Sequence, residues 1–172
     1  MAGDGAAAGQ GAGGLDELYR EIILEHYRSP KRKRRLEVHN RHADGANPLC
    51  GDQIVVEAQV EDGRVADVGF SGQGCAISQA SASLMSDYVA GKPVEDVLAA
   101  VSAFQQMMTS GEAPADVDLG DIEALLGVAK FAVRVKCASL GWKTLEQALK
   151  TEAEAAGPAP AHAAVTTDER SM

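Results

Sequence analysis

Three cysteines and one aspartate are the residues of this chain best placed to do chemistry. Cys50 and Asp52 stand two residues apart in Asn47-Pro48-Leu49-Cys50-Gly51-Asp52, where an alternating strand pattern begins. Residues i and i+2 of a strand project from one face, so a thiolate and a carboxylate come to lie side by side. Gly51 adds no side chain between them and admits a close approach of backbone or metal. A soft sulfur and a hard oxygen on one face make half of a tetrahedral zinc site. Cys75 and Cys137 are the remaining cysteines. Both are expected at helix starts, where free N–H groups and the positive dipole end favour thiolate over thiol. Three thiolates held together need a cation, and Zn²⁺ accepts an aspartate as fourth ligand. The spacing lacks the local C-x-x-C pairs of zinc ribbons. On pattern alone, buried cysteines unconnected with any metal stay open as the competing reading.

The elements that must position these residues follow from periodicity. Leu15, Leu18, Ile22 and Ile23 fall at helical spacing, and Ser29-Pro30 ends that helix near Tyr27. His26 reads as a partly exposed helix residue. Lys31 to Arg35 is a basic run, read as a solvated linker or a docking patch for an acidic partner. His39 and His42 follow in a polar loop and are low-ranking alternatives for a ligand or base near Cys50. Gln53 to Glu61 alternates, with Ile54, Val56, Ala58 and Val60 on one face. Asp62-Gly63 is a two-residue hairpin turn, and Arg64 to Phe70 returns. Helices are expected from Ala76 to Ala90 and from Val94 to Met108. Asp118 caps a short one over Leu119 to Leu126, ended by Gly127. Val128 to Lys136 reads as a connector, and Cys137 opens the last helix, to Ala155. The order predicts an α+β domain, a small antiparallel sheet with helices packed on one face.

At 172 residues the chain has room for one domain with tails. Residues 1–14 and 156–172 are expected to be disordered tails around a domain at 15–155. His162 lies in the second tail and is assigned no role. The formal net charge of −9 argues against nucleic-acid or anionic-membrane binding. No apolar run approaches the roughly 20 residues of a membrane helix, and the start lacks the features of a signal peptide. An odd number of cysteines points away from a disulfide framework and towards the cytoplasm. Gly72-Gln73-Gly74 superficially suggests a dinucleotide fingerprint, but Ile77 stands at the third glycine position, outside any βαβ unit.

Several separated motifs add a resemblance. Asn47-Pro48-Leu49-Cys50-Gly51-Asp52 is similar to the first signature of the IscU/NifU-N-type iron–sulfur cluster assembly family. Phe70-Ser71-Gly72-Gln73-Gly74-Cys75-Ala76-Ile77-Ser78-Gln79-Ala80-Ser81 resembles the second, and Arg134-Val135-Lys136-Cys137-Ala138 the third. The opening helix from Leu18 to Pro30 also matches, so the likeness covers residues 15–153. Two features resemble the SufU branch of the family. Lys136 stands where the scaffold branch carries a histidine, and an extra segment containing Asp118 to Leu125 precedes the third cysteine. The resemblance implies an IscU/SufU-like fold and a zinc ion held by Cys50, Asp52, Cys75 and Cys137. It implies that Cys50 accepts persulfide sulfur from a cysteine desulfurase of SufS type, with Arg134 beside the site and downstream Suf scaffold proteins as later partners. The alternative is a scaffold that assembles a [2Fe–2S] cluster on the same four residues. A Cys–His hydrolase using Cys50 with His39 or His42 is the third reading.

Overall fold

The computed structural model describes residues 16–151 and 164–166. The expected tail 1–14, the end of the last expected helix, His162 and most of 156–172 lie outside the described residues. A first helix, α1, covers residues 16–28. Three strands follow: β1 (Arg41–Asn47), β2 (Asp52–Glu61) and β3 (Arg64–Gln73). Then come α2 (Ala76–Val89), α3 (Val94–Ser110), a 3₁₀ segment (Gly120–Lys130) and α4 (Ala132–Lys150). Within the stretch expected as a tail, β4 (Ala164–Thr166) pairs in parallel with Asp44–Ala46 of β1. The sheet order is β3-β2-β1-β4, with β1, β2 and β3 antiparallel.

The hairpin forms as its alternation dictates. Asp62 and Gly63 take φ of 53° and 75°, the left-handed pair that a type I′ turn requires. Ile54, Val56 and Ala58 are fully buried, and with Val68 and Phe70 they meet α2, α3 and α4. Trp142 of α4 stacks on Phe104 of α3, ring centroids 4.5 Å apart. Its indole N–H donates to Ser81, whose hydroxyl donates to the Ala138 carbonyl, so α2 and α4 are locked together. Gly45 lets α4 lie against β1: a Cβ there would collide with the Thr144 hydroxyl.

Four expectations change. The polar loop around His42 is strand β1, held to β2 across seven register pairs. His26 is buried rather than partly exposed; its Nδ1 lies 2.7 Å from the Ser83 hydroxyl, docking α1 on α2. The basic run is mostly paired within the chain. Arg32 and Arg34 contact Asp67, and Arg35 forms a two-bond pair with Glu57. The helix expected to start at Cys137 starts at Ala132. Ala132-Val133-Arg134-Val135-Lys136 contains no glycine, proline or capping residue that would delay it.

Candidate metal centre

Each of the four expected ligands comes from a different piece of backbone. Cys50 sits in the turn between β1 and β2, half-buried. That turn closes by hydrogen bonds from the Cys50 N–H to the Asn47 carbonyl (3.2 Å) and from the Leu49 N–H to Asn47 Oδ1 (3.3 Å). Gly51, at φ 70°, takes the left-handed conformation that delivers the chain into β2. Asp52 is the first residue of β2, on the same face as Ile54, and fully buried. Cys75 is the N-cap residue of α2. Cys137 lies in the second turn of α4 and is fully buried.

The side chains converge. Cys137 Sγ lies 3.3 Å from Cys50 Sγ, and Cys75 Sγ lies 3.9 Å from Asp52 Oδ2. One ligand atom from each of Cys50, Asp52 and Cys137 falls within 4.8 Å of the other two. A tetrahedral ion with Zn–S of about 2.3 Å and Zn–O of about 2.1 Å sets S···S near 3.8 Å and S···O near 3.6 Å. Cys50, Asp52 and Cys137 therefore offer donors of the zinc type near that spacing, while Cys75 Sγ stands outside the group of three and reaches it through Asp52 Oδ2. Asp52 also braces the backbone. Its Oδ1 accepts the Cys75 N–H at 2.9 Å, fixing the carboxylate and the helix start together.

Electrostatics divide the thiols. The Cys75 thiol falls to about 6, chiefly because the Cys137 thiol donates to it. Burial and the Asp52 charge oppose that shift, while hydrogen bonds from the Ser78 and Ile77 backbone at the start of α2 assist it. Cys137 moves the other way. Its role as donor to Cys75 raises it most, followed by burial and its contact with Cys50. Without a cation, Cys75 is the thiolate and Cys137 keeps the proton. The expectation that both gain from a helix start holds for Cys75 alone, because Cys137 lies past the first turn of α4.

Arg134, exposed on the first turn of α4, has its guanidinium beside the cluster. Its pKa is raised by a hydrogen bond to Cys137 and by the charges of Cys75, Cys137 and Cys50. An open pocket of about 510 Å³, lined by Cys50, Phe131, Ala132, Val133 and Arg134, leads to the site. Leu49, Phe131 and Val133 around it are all more than half exposed. Two contributors escaped sequence reasoning. Asn47 is fully buried, and its Nδ2 lies 3.6 Å from Cys137 Sγ. Gly74 leaves room for the carboxylate, since a Cβ there would stand 2.6 Å from Asp52 Oδ1 and collide with the Ser78 hydroxyl. Asn47 lies in the first signature and Gly74 in the glycine-rich turn, which were the available signals. His39 and His42 do not join this centre; both face Glu57.

A solved structure titled as a putative iron–sulfur cluster assembly scaffold protein for the SUF system, from Fervidobacterium islandicum, superposes with a TM-score of 0.71. It is 35% identical, covering 75% of this chain and 94% of that one. Fold and cysteine centre together thus define an iron–sulfur cluster assembly protein. The family described as NifU-like N terminal domain matches residues 18–138. The chain is 44% identical over 138 residues to the zinc-dependent sulfurtransferase SufU of Bacillus subtilis, covering 80% of this chain and 93% of that protein. It is 38% identical over 147 residues to the iron–sulfur cluster assembly scaffold protein IscU of Streptococcus pyogenes, covering 82% and 88%. The chain belongs to the IscU/NifU-N iron–sulfur cluster assembly family, as a SufU-type member.

Proposed function

We propose that this protein is a zinc-dependent sulfurtransferase that takes persulfide sulfur from a cysteine desulfurase of SufS type onto Cys50. The observation that carries the reading is the placement of Cys50. It is half-buried, on a turn, at the mouth of the pocket, and packed against Cys137. Cys137 is anchored within α4 and the Cys75 backbone is held at the start of α2 by Asp52, so among the three sulfurs Cys50 is the one whose backbone can give way. Cys50, Asp52, Cys75 and Cys137 would hold the zinc, which when bound keeps the thiols deprotonated and shielded from oxidation.

The Cys50 thiolate attacks the terminal sulfur of the donor persulfide. A Cys50 S–S bond forms, the donor's S–S bond breaks, and the donor cysteine leaves as thiolate, with no net oxidation. Arg134 stands where it offsets negative charge on the arriving sulfur. Asp52 fixes the start of α2 throughout, through the Cys75 N–H. Three unpaired cysteines suit a reducing cytoplasm, where downstream Suf scaffold proteins would receive the sulfur.

The test uses the full chain and a cysteine desulfurase. Purified protein is expected to hold zinc at the cysteine centre and to take labelled sulfur, and Cys50→Ala is expected to take none. Full-rate sulfur uptake by Cys50→Ala sinks the reading. Relatives named as scaffolds support the alternative, a [2Fe–2S] cluster built as cargo on the same residues. Lys136, buried beside Cys137 where the scaffold branch carries histidine, weighs against it. Anaerobic reconstitution that yields a stable, transferable cluster would decide for the scaffold.

A further inference from the structure

On the other face of the sheet three side chains converge with no part in the cysteine centre. His42 of β1 and Glu57 of β2 are register partners, and His39 precedes β1. His42 is 8% exposed and Glu57 1%. His39 Nε2 and His42 Nδ1 each stand 3.5 Å from the same atom, Glu57 Oε2. That separation exceeds the roughly 2.7–3.2 Å of an N–H···O hydrogen bond. It matches the edge between two ligands of a tetrahedral ion, about 3.4 Å for bonds of about 2.0–2.2 Å; an octahedral edge would be nearer 3.0 Å.

The other ring nitrogens are already committed. His39 Nδ1 lies 3.1 Å from the Leu36 carbonyl, and His42 Nε2 lies 3.0 Å from Asp44 Oδ1. Both partners only accept, so in the neutral rings these nitrogens carry the protons. His39 Nε2 and His42 Nδ1 then turn lone pairs towards a carboxylate oxygen. These are three lone-pair donors, two buried and His39 partly exposed; Glu57 Oε2 also accepts from Arg35 Nη2 at 2.9 Å, which uses one of its lone pairs and leaves one for a cation. Two imidazole lone pairs turned on one carboxylate oxygen are unfavourable until something positive comes between them. A histidine whose far nitrogen donates to a carboxylate or carbonyl is the arrangement that orients metal-bound imidazole. Arg35 donates to both oxygens of Glu57 and the Leu36 N–H to Oε1, so the carboxylate is fixed in place. Burial pushes its pKa up, but the Arg35 guanidinium and the Leu36 N–H together hold it below the ordinary carboxylate value. Asp44 and Glu57 outweigh the single charge of Arg35, so the local field does not oppose a cation.

We propose that His39, His42 and Glu57 form a second metal site, for a tetrahedral divalent ion of the zinc type, with water as the fourth ligand. It ties the segment before β1 to β1 and β2, and is independent of the sulfur-transfer reading.

The test titrates Zn²⁺, and Co²⁺ as spectroscopic probe, into metal-free full-length protein. Wild type is expected to bind two ions per chain. His39→Ala and His39→Gln are expected to bind one, with unchanged circular dichroism, since His39 is partly exposed. A Cys50→Ala/Cys137→Ala variant is expected to keep one Co²⁺ that shows d–d bands but no sulfur-to-cobalt charge-transfer band. Saturation of wild type at one ion, or two ions retained by both His39 variants, overturns the proposal. If the cysteine variant fails to fold, the ion count of the His39 variants decides the matter without it.

Discussion

Asp52 and Glu57 are both buried carboxylates of β2, an odd number of residues apart, so they leave the strand on opposite faces. Asp52 meets the Cys75 sulfur and the Cys75 backbone N–H. Glu57 meets two imidazoles and a guanidinium. The first cluster gathers ligands from distant segments at the mouth of an open pocket. The second gathers near neighbours beneath the 31–40 segment, whose Leu36 is buried over the sheet. One strand thus carries a cluster beside an open pocket on one side and a cluster covered by the 31–40 segment on the other. The difference follows from what covers each face rather than from the strand itself.

The sharpest separation of the two clusters is kinetic. Cys50→Ala is expected to abolish sulfur uptake, while His39→Ala leaves it within about twofold of wild type, measured by labelled-sulfur transfer from a desulfurase. Equal losses would mean that the faces are coupled. Next is Asn47→Ala, which removes the amide beside Cys137 and should weaken zinc binding at the cysteine centre about 10–100-fold in a chelator competition. Gly74→Ala should act on the same readout in the same direction, because Asp52 must shift to clear the new methyl group. Neither should change the affinity of the histidine cluster.

On the other face, Glu57→Gln should destabilise the metal-free protein by about 1–2 kcal/mol in denaturant unfolding. The cost is moderate because Arg35, 65% exposed, can return to water. The sign with pH follows from the lowered pKa of Glu57. Its folded value lies below the ordinary 4.5, so its contribution is present above that pH and fades as pH falls through the folded value. Glu57→Gln should flatten this acid limb. His26 gives a smaller limb at higher pH. Burial lowers its pKa below 6.5, so stability declines as pH drops under 6.5, and His26→Gln should remove that part alone.

The hairpin and the helices α2 and α3 are legible in the sequence because strict alternation, Asp-Gly and Gly-Lys-Pro punctuate them. β1 is not. Arg41-His42-Ala43-Asp44-Gly45-Ala46-Asn47 is made largely of residues poor in strands, and it is extended because β2 offers it a partner edge. The three cysteines and Asp52 were legible as residue types and, through the motifs, as a set. Where Cys137 sits along α4 was not, since nothing local marks Ala132 as a helix start. The histidine cluster was illegible for a third reason. It depends on the β1–β2 register and on where the chain before β1 folds back, and both are tertiary facts.

The scattering of the cysteine ligands along the chain has a consequence for synthesis. Cys137 lies on α4, which follows β1, β2 and α2 along the chain, so its sulfur is synthesised last. A nascent polypeptide still lacking that helix cannot complete the ligand set, whatever ion it meets. On the proposed reading, zinc held by all four residues would mark a chain whose α4 is in place, and a desulfurase that recognises the completed cluster would pass over immature copies.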